Sequence, residues 1–551
     1  MSGRRRPGRE IDLLIAGAGP TGLAAAIEAA RHGLSYRVVD RADGPARHSR
    51  ALGIQARTLE IFEAWGIAGE AVSRGLPVGR ARVHVAGRPV ASLGFSTLDS
   101  PFPFILILAQ SETERIMTGA LADLGGGVER GVELVDFEGI ADGTRARLRT
   151  ADGEEEIVEA RWLAGCDGAH STVRHRVGLP FSGAAYPEEF LLGDFALQWD
   201  LSHDTFHGFF SGPDLLAVVP MPGPDRYRLI VTRGPGEATG EAPEAAEFEA
   251  LLDSVAGVDA RITDPVWMAR FRIHRRMVPR LRSGVVFLAG DAAHIHSPVG
   301  GQGMNVGIQD ARNLVWKLAL VAAGAAGPGL LDSYDAERRP VAEKILRGTD
   351  LASRVLLGRS APVRWARRLL PSIALGLEPF AERLRRGVAQ IDHAYRDSPI
   401  VGEGKGGGFH GGPRPGERAP DVGLIDASSG LERRLFDLLR EPRHLLLWFV
   451  AREARAAVPM EDREAALAAL AALARSGPAG PSKVRGVMEV GAGGTDVERG
   501  AAAPLLDPTG EALRRYGVRG AAVYLIRPDG HVAYRGSLDP DPFMRFLDRY
   551  R

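Results

Sequence analysis

The chain contains 551 residues, a length that accommodates about three or four domains at roughly 150 residues each. Its 69 basic and 69 acidic residues balance, so it lacks the positive field on which binding to nucleic acid depends. With 45% hydrophobic and 25% charged residues, the composition is that of a folded globular protein. Cys166 is the only cysteine, which excludes an intrachain disulfide and a Cys-x-x-Cys motif and favours a reducing compartment.

A basic segment and a short apolar run begin the chain, and the run predicts the first strand. Ile11 to Ala16 is only six residues long, too short for the core of a signal peptide. The longest near-apolar segment, 318–331, includes glycine and proline and is shorter than the roughly 20 residues of a membrane-spanning helix. We therefore expect no transmembrane segment, no membrane partner and a cytoplasmic location.

Residues 10–41 have the order strand, glycine turn, helix, strand, which is the start of a βαβ unit. Two further helices are predicted over 58–65 and 111–124, the second opened by a capping box of Ser111 and Glu114. Antiparallel strands are predicted from 190 to 232, where short apolar runs alternate with Gly-Pro-Asp turns. This meander is expected to be inserted into an α/β chain.

The α/β pattern returns with a strand over 285–290 and a helix over 305–320. A glycine-dense segment at 402–418 predicts a domain boundary, because such a composition packs poorly. Beyond it, an apolar run at 443–450 and an Asp-Gly hairpin signal within 522–536 predict a small α/β domain. The fold class is therefore α/β.

The first motif that carries chemistry lies between the first strand and the first helix. Gly17 permits the turn, Gly19 lets a pyrophosphate approach the backbone, and Gly22 lets helix and strand pack closely. The helix N-terminus favours the phosphates, and Asp40, at the end of the next strand, accepts hydrogen bonds from ribose hydroxyls. The motif predicts a dinucleotide and leaves FAD and NAD open. It reads Gly17-Ala18-Gly19-Pro20-Thr21-Gly22.

Two later segments are candidates for the same site. Asp167 and Gly168 follow an apolar strand and precede a serine-capped helix, which in isolation is an ordinary turn. Asp291 also follows a strand, and a glycine-rich loop over 297–305 then leads into a helix. Asp291 is suited to bind a polyol hydroxyl, and the helix N-terminus to stabilise negative charge on an anionic ring.

In this order, the three motifs resemble those of the group A flavin monooxygenases, the para-hydroxybenzoate hydroxylase and phenol hydroxylase family. The resemblance covers residues 10–345 and includes the segments 49–66, 108–117 and 276–294. It implies a Rossmann-like FAD-binding domain with an inserted antiparallel-sheet substrate domain. The implied ranges are 1–75, 105–182 and 276–345 for the FAD-binding domain, 76–104 and 183–275 for the substrate domain, 346–400 for a helical segment and 413–551 for a C-terminal domain.

The same resemblance implies roles for individual residues. Asp40 and Arg41 flank the adenosine ribose, and Arg50 and Gln110 reach the pyrophosphate and ribityl region. Asp167, with Gly168, serves both FAD and the nicotinamide cofactor, whereas Asp291 holds the ribityl chain. The isoalloxazine ring is lined by residues of the glycine-rich loop, namely Pro298, Gly301, Gly303, Met304 and Asn305.

Residues 413–551 resemble the thioredoxin-like C-terminal domain of the phenol hydroxylase and polyketide-tailoring members of this family. The segments that carry this resemblance are Pro-Gly-Glu-Arg-Ala-Pro at 415–420 and Arg-Pro-Asp-Gly-His-Val-Ala at 527–533. This region contains no cysteine, so thiol–disulfide exchange is excluded. A structural role, or support of a homodimer, is expected instead.

The family resemblance implies an aromatic monooxygenase. NADPH or NADH reduces FAD, O2 forms a flavin C4a-hydroperoxide, and one oxygen atom passes to an activated ring. We expect a polycyclic phenol or polyketide as substrate, bound on the apolar meander. Some family members carry an acid just before the 57–60 segment, but residues 51–53 are Ala-Leu-Gly, so no side-chain base is predicted from that loop and the catalytic residue is left open. No metal site is predicted. Candidate substrate contacts are His207, Phe209, Pro220 and Tyr227.

Two other functions are open at this point. A flavin oxidoreductase of the same fold could epoxidise, halogenate, reduce or dehydrogenate its substrate. The lysine and the Trp-x-Trp-x-x-Pro segment of flavin halogenases are not recognisable in residues 40–110. A non-catalytic flavin sensor could instead use 413–551 to bind a protein partner, and NAD(P)H oxidation by the purified protein separates it from an enzyme.

Overall fold

The computed structural model describes residues 11–46, 51–211, 214–233, 243–258, 260–296, 301–357, 375–406, 408–451, 468–469, 483–489 and 505–551. Within these ranges an N-terminal α/β unit carries an inserted antiparallel sheet and is followed by a C-terminal α/β unit. The α/β class predicted from the sequence is confirmed. Of the helices in this part of the chain, none combines the length and the apolar character needed to cross a membrane.

The elements up to residue 211 alternate between the N-terminal unit and the first strands of the inserted sheet. In chain order they are β1 (Ile11–Ala16), α1 (Pro20–Arg31), β2 (Tyr36–Asp40), β3 (Gly53–Ile54), α2 (Ala56–Trp65), α3 (Ala68–Arg74), β4 (Leu76–Val78), β5 (Arg80–Val85), β6 (Arg88–Gly94), β7 (Ile105–Ile107), α4 (Gln110–Asp123), β8 (Glu129–Arg130), β9 (Val132–Ile140), β10 (Gly143–Thr150), β11 (Glu155–Gly165), α5 (Thr172–Arg176), β12 (Ser182–Gln198) and β13 (Thr205–Ser211).

The later elements complete the inserted sheet, return to the N-terminal unit and build the C-terminal one. They are β14 (Asp214–Pro220), β15 (Arg226–Arg233), α6 (Ala245–Leu251) with a π-helical turn (Leu252–Ala256), β16 (Arg261–Met277), β17 (Arg282–Ser283), β18 (Val286–Leu288), β19 (His294–Ile295), α7 (Gly303–Ala322), α8 (Asp332–Leu357), α9 (Glu378–Val388), β20 (Gly402–Glu403), β21 (Gly423–Asp426), β22 (Glu432–Arg434), β23 (Leu445–Val450), β24 (Lys483–Glu489), β25 (Leu505–Asp507), α10 (Glu511–Arg515), β26 (Ala521–Ile526), β27 (Val532–Gly536) and α11 (Pro540–Leu547).

A mainly parallel sheet with the strand order β17-β18-β11-β1-β2-β8 organises the N-terminal unit. Strands β18, β11, β1, β2 and β8 run parallel, and β9 and β10 extend the sheet from β11 in the antiparallel sense. Helices α1 and α7 share the core of this sheet. Because neighbouring parallel strands end at the same edge, the loops after β1, β2, β11 and β18 lie together.

The inserted sheet has the order β19-β16-β12-β15-β14-β13-β5-β6. Its neighbouring strands are antiparallel except β13 and β5, which run parallel. One face is covered by α6 and the π-helical turn, through Phe248 and Val255. The opposite face packs on the small sheet β3-β7-β4 of the N-terminal unit, where Val219 joins a cluster with Leu52 and Ile107.

The C-terminal unit contains a sheet with the order β20-β27-β26-β23-β24-β25-β21-β22. Strand β23 is parallel to β24 and antiparallel to β26, which in turn is antiparallel to β27. Helix α11 packs on this sheet through Phe543 and Phe546, whose rings lie 5.3 and 5.0 Å from that of Tyr534.

The glycine-dense segment belongs to this C-terminal unit. Gly402–Glu403 forms β20, which pairs with β27. A Cβ atom at Gly404 would lie 2.1 Å from the Tyr534 hydroxyl oxygen, and one at Gly412 would lie 2.2 Å from the Tyr516 carbonyl oxygen. These glycines permit close packing, so the expectation that this composition packs poorly is wrong.

The hairpin turn at residues 527–531 is buried against α7 and α8 of the N-terminal unit. Arg527 forms a bidentate ion pair with Glu337, at N···O distances of 2.6 and 2.8 Å, and neither side chain is exposed. Lys317 donates to the same carboxylate at 2.8 Å, and Arg312 donates to the Pro528 carbonyl oxygen at 2.8 Å. Burial alone would raise the pKa of Glu337, but Arg527 and Lys317 lower it to about 2.

A second buried ion pair attaches the C-terminal unit to α2. Arg418 donates to both carboxylate oxygens of Glu60, at 2.8 and 2.6 Å. Arg57 also donates to Glu60, at 2.8 Å, and to the carbonyl oxygen of Asp529, at 2.5 Å. Buried charges are tolerated when they are paired and hydrogen-bonded. The two units are therefore joined by contacts that leave a costly charge if either partner is removed.

Substitution of Arg527→Leu is expected to destabilise the protein strongly, because Glu337 then stays buried with Lys317 as its remaining cationic partner. Loss of one partner of a buried pair costs about 3 kcal/mol, which a lower urea midpoint will report. Arg147→Leu, which removes an exposed pair with Glu155, is the matched control and should leave the midpoint unchanged. Equal midpoints for the two variants would contradict this account of the interface.

Candidate active site

The three predicted motifs meet at one edge of the parallel sheet. Gly17 follows β1, Asp40 ends β2, Asp167 follows β11, and Asp291 follows β18. The strands are parallel neighbours, so their carboxyl ends form one cleft, which is the usual ligand site of an open α/β sheet. The fold thus brings together residues from three distant parts of the chain.

The first motif has the close approaches that its glycines predict. A Cβ atom at Gly17, where φ is +96°, would lie 2.4 Å from the carbonyl oxygen of Cys166, and one at Gly22 would lie 1.8 Å from that of Gly17. A Cβ atom at Gly19 would meet no atom within 4 Å. Gly19 is the N-cap of α1, which has no side-chain cap, and Pro20 is the first residue of the helix. The first-turn N–H groups of α1 are therefore suited to an anionic pyrophosphate.

Asp40 is held beside this motif by backbone donors. Its Oδ2 accepts a hydrogen bond from Ala18 N at 2.7 Å, and its Oδ1 accepts one from Ala42 N at 2.8 Å. Each carboxylate oxygen can accept a further hydrogen bond. Asp40 is thus positioned to bind ribose hydroxyls, with the exposed Arg41 next to it.

Asp167 has one occupied and one unoccupied carboxylate oxygen. Its Oδ2 accepts from Val173 N at 3.1 Å, whereas Oδ1 is buried and has no hydrogen-bond partner in the described part of the chain. Burial raises the pKa of this carboxyl above its ordinary value. A buried polar atom without a partner is costly, and a ligand hydroxyl would satisfy it. Gly168 makes the following turn at φ +76°.

The first and third motifs are in direct contact through Thr21. A Cβ atom at Gly290 would lie 2.5 Å from Thr21 Oγ1, and one at Gly307 would lie 2.2 Å from the same atom. Small residues are required where α1, α7 and the loop after β18 meet. This packing fixes the position of Asp291, which is exposed at the end of its strand.

Asp310 of α7 anchors the loop that carries Asp291, although no motif indicated it. Its Oδ2 accepts from Gly290 N at 3.1 Å and from His294 Nε2 at 2.8 Å, and its Oδ1 accepts from Arg338 Nε at 2.7 Å. Burial would raise the pKa of Asp310, but Arg338 and His294 lower it to about 2. Helix α7 buries several polar and charged side chains besides Asp310, so nothing in the sequence singles out this acid.

Arg174 connects the second motif to the third. Its Nη1 donates to the carbonyl oxygen of Ala292 at 3.0 Å, and its Nη2 donates to that of Ala169 at 2.9 Å. The serine cap predicted for this helix is confirmed, because Ser171 Oγ accepts from Arg174 N at 2.9 Å. The structural role of the guanidinium group was not predicted.

Asn305 fastens the glycine-rich loop to β3. Its Oδ1 accepts from Gln55 N at 2.9 Å, and its Nδ2 donates to the carbonyl oxygens of Gly53 and Gly301, each at 2.9 Å. The side chain is buried and its hydrogen bonds go to the backbone. Asn305 therefore shapes the loop.

The remaining loop residues form the start of α7. Gly301 has φ +61°, Gly303 and Met304 begin the helix, and its N-cap has no side-chain hydrogen bond. The positive end of α7 is thus free of an internal cap and suits an anionic ring. Two predicted cofactor residues, Arg50 and Pro298, lie outside the described residues.

Gln110 positions the chain near residue 51. Its Oε1 accepts from Ala51 N at 3.3 Å, and its Nε2 donates to Glu114 Oε1 at 2.9 Å. Helix α4 begins at Gln110, with Ala109 as its N-cap and no side-chain cap. The predicted capping box of Ser111 and Glu114 is therefore wrong.

The candidate substrate contacts share one face of the inserted sheet, the face that α6 covers. Tyr227 of β15 pairs with Pro220 of the adjacent strand β14. Phe209 belongs to the hydrophobic cluster that contains Phe248 of α6. These side chains face away from the N-terminal unit, and the structure does not bring them to the cleft. The sequence analysis named them as candidate contacts on the meander, and it had no means to tell which face of the sheet borders the N-terminal unit. The residues concerned are His207, Phe209, Pro220 and Tyr227.

The opposite face borders the N-terminal unit and is apolar and aromatic. The Phe190 and Phe271 rings stack with centroids 6.0 Å apart. Arg228 and Asp194 form a bidentate pair on this face, at 2.7 and 2.8 Å. Its apolar side chains include Val83, Phe190, Phe206, Phe210, Val219, Ile230 and Phe271.

A dinucleotide cleft beside the apolar face of an inserted sheet defines the class of FAD-dependent aromatic hydroxylases. Residues 10–349 match the FAD binding domain family, and residues 412–549 match the family described as aromatic-ring hydroxylase, C-terminal. The chain belongs to this family of FAD-dependent aromatic monooxygenases, which use reduced nicotinamide and O2. The resemblance stated from the motifs is confirmed.

Similar proteins extend over almost the whole chain. The 6-methylpretetramide 4-monooxygenase of Streptomyces rimosus is 39% identical over 95% of this chain and 90% of its own length. Pentachlorophenol 4-monooxygenase of Sphingobium chlorophenolicum is 36% identical over 82% of each chain. Among solved structures, anhydrotetracycline hydroxylase from Streptomyces rimosus has a TM-score of 0.73 and 30% identity, and covers 98% of this chain and 99% of its own. A ternary complex of aklavinone-11 hydroxylase with FAD and aklavinone has a TM-score of 0.74 and 26% identity, and covers 99% of both chains.

His84 is expected to make the protein labile to acid. Its Nε2 lies 3.1 Å from His207 Nδ1, and burial lowers its pKa to about 4 from the ordinary value near 6.5. A folded pKa below the unfolded one contributes stability above pH 6.5 that is lost as the pH falls to about 4. The Tm of His84→Gln should therefore fall less between these pH values than that of the wild type. The exposed His410→Gln is the control, and equal slopes for both variants would refute the assignment.

Proposed function

We propose that this protein hydroxylates a polycyclic phenol or an aromatic polyketide. The observation that carries the proposal is the phenylalanine-rich face of the inserted sheet, which is turned toward the N-terminal unit and packs on β3-β7-β4, the small sheet to which Asn305 fastens the glycine-rich loop. Such a face buries the apolar area of several fused rings favourably. The relatives named 6-methylpretetramide 4-monooxygenase and anhydrotetracycline hydroxylase support a substrate of this class.

We propose that the motif residues divide the binding of FAD among them. The backbone from Gly17 to Gly22, with Pro20 and Thr21, and the N-terminus of α1 take the pyrophosphate, while Asp40 and Arg41 take the adenosine ribose. Asp167 and Gly168 offer the unsatisfied buried oxygen to a cofactor hydroxyl, and Asp291 binds the ribityl chain. The ring lies by the loop of Gly301, Gly303, Met304 and Asn305. When bound, FAD supplies the oxygen-transfer chemistry that amino acid side chains lack.

The protein's own contribution in this proposal is orientation and exclusion of water. The positive end of α7 favours negative charge on the ring system beside it. The apolar face holds the substrate ring against this edge and keeps water out. His84 and His207 lie on the far face, under α6, so they do not serve as the base in this mechanism.

We also propose a thioredoxin-like fold for the C-terminal unit, with its border near residue 402. The strand order β24-β23-β26-β27, the parallel pair β23 and β24 and the final helix α11 support this fold. Without cysteine, its function is structural, and its buried ion pairs with the N-terminal unit agree with that function. NADPH or NADH is the proposed transient reductant, and the single, buried Cys166 agrees with a cytoplasmic location.

Asp291→Ala is expected to weaken FAD binding about 10- to 150-fold, because a hydrogen bond to a charged group contributes about 1.5–3 kcal/mol. Titration of the apoprotein with FAD, followed by flavin fluorescence, measures the change. Asp332→Ala, which removes an exposed carboxylate paired with Arg282, is the control and should bind FAD like the wild type. Unchanged affinity of Asp291→Ala would remove Asp291 from the site.

Turnover under labelled O2 tests the function itself. NAD(P)H oxidation should be slow without substrate and accelerate with an electron-rich polycyclic phenol. Mass spectrometry should find one heavy oxygen atom in the product and the other in water. Consumption of the phenol without incorporation of label would instead indicate a dehydrogenase or reductase on this fold.

A further inference from the structure

Three buried glutamines and a histidine form a continuous hydrogen-bonded relay that ends at the glycine-rich loop. Gln390 Nε2 donates to Gln302 Oε1 at 2.6 Å and also faces the Gln302 carbonyl oxygen at 3.3 Å. Gln309 Nε2 donates to Gln390 Oε1 at 2.6 Å, and Gln309 Oε1 lies 2.9 Å from His393 Nδ1. Gln302 is the N-cap of α7. The relay therefore begins between α9 and β20 and reaches the first turn of α7.

The direction of the relay is fixed by a backbone group. The carbonyl oxygen of Gln302 can only accept, so the amide nitrogen of Gln390 must face it, and Gln390 Oε1 must receive the proton of Gln309. Gln309 Oε1 then needs a donor, which is His393 Nδ1–H. Burial lowers the pKa of His393 to about 3, so near pH 7 its ring is neutral and carries one proton. This order leaves Nε2 of Gln302 as the terminal donor at the loop.

The backbone at Gln390 is strained in a way that glycine would relieve. Helix α9 ends at Val388, and Gln390 follows with φ +59° while Ile391 N donates to the Arg386 carbonyl oxygen at 3.1 Å. This is the position after a helix at which glycine is strongly favoured. Any side chain at this backbone conformation is sterically disfavoured relative to glycine. Gln390 is fully buried, so its amide, rather than its backbone, explains why this residue type fits here.

The segment that contains Gln390 makes hydrogen bonds to both the N-terminal and the C-terminal unit. Arg338 Nη1 donates to the Tyr395 hydroxyl at 2.9 Å, and Tyr395 N donates to the Gly416 carbonyl oxygen of the C-terminal unit at 2.8 Å. Ser398 Oγ donates to Glu337 at 2.6 Å, on the same carboxylate that holds Arg527. Residues 389–398, here called the strap, thus lie between the two units and present Gln390 to the loop.

We propose that Gln390 is a positioning residue, which sets the conformation of the loop at residues 301–305 through Gln302 and thereby the environment of the flavin ring. This inference rests on the proposed location of the ring beside that loop. It predicts that a change of Gln390, which does not belong to the predicted cofactor motifs, alters the properties of bound FAD, whereas a change elsewhere in the strap that leaves the relay intact does not. It also predicts that the effect passes through Gln302 and through no other route.

The test compares Gln390→Met, Gln309→Met, Gln302→Met and the double variant Gln302→Met/Gln390→Met, all with FAD bound and no substrate added. Visible circular dichroism and the reduction potential of bound FAD should change in each single variant. The affinity of the apoprotein for FAD should fall about 2- to 13-fold, the range for loss of one hydrogen bond of about 0.5–1.5 kcal/mol. The double variant should match Gln302→Met alone, because both changes break the same connection.

Ser398→Ala is the matched control, because it removes a hydrogen bond from the strap to Glu337 and leaves every hydrogen bond of the relay in place. It should lower the Tm and leave the flavin signals unchanged. If Gln390→Met lowers only the Tm, or if the double variant shows the sum of two independent spectral changes, the relay is structural and the proposal fails. Should Gln390→Met not fold, an unchanged flavin spectrum in Gln309→Met overturns it equally. These signals need no substrate, so they are independent of whether a polycyclic phenol is hydroxylated.

Discussion

Buried ion pairs between the two units are the constraint on which the rest of the structure depends. Glu337 and Glu60 lie in the N-terminal unit, but their bidentate partners, Arg527 and Arg418, come from the C-terminal one. A buried charge without a partner is strongly destabilising, so side chains of the C-terminal unit neutralise the buried charges of α2, α7 and α8. Helix α7 belongs to this interface at Arg312 and Lys317 and to the cofactor cleft at its first turn. Helix α7 therefore contributes both to the packing of the C-terminal unit and to the shape of the cofactor cleft.

The parts of the site that were predicted correctly are those set by local backbone chemistry. Gly17 and Gly22 lie where a Cβ atom would collide with a carbonyl oxygen, so only glycine fits at these positions. The sequence shows this requirement through the fixed spacing of glycines in the motif. Helices α2 and α4 were predicted over 58–65 and 111–124 and lie at Ala56–Trp65 and Gln110–Asp123, so their bounds agree within two residues although the proposed cap of α4 is wrong. The family resemblance added the order of the motifs along the chain. Together these signals sufficed for the fold class and the cofactor.

What the sequence did not predict depends on pairings between distant residues. Arg527 contacts Glu337 and Asp310 contacts Gly290 only because helices pack on a sheet. The spacing of these residues along the sequence does not indicate such contacts. His207 and Tyr227 were expected to contact the substrate, yet α6 packs on the face of the sheet that carries Tyr227, and the sequence does not show which face it covers. The glycine-dense segment was expected to pack poorly, because composition alone does not distinguish a flexible chain from one that packs against tyrosine residues.

The order in which the ion-pair partners occur along the chain has a consequence for biosynthesis. A ribosome releases Glu60 and Glu337 long before Arg418 and Arg527, so the nascent N-terminal unit carries these carboxylates in water until the last segment emerges. Domains generally fold as units during synthesis, and here the interior of the first unit is closed by residues of the second. Completion of this interface thus awaits the synthesis of Arg418 and Arg527, and a translation product that stops before them would expose acids that these arginines otherwise cover.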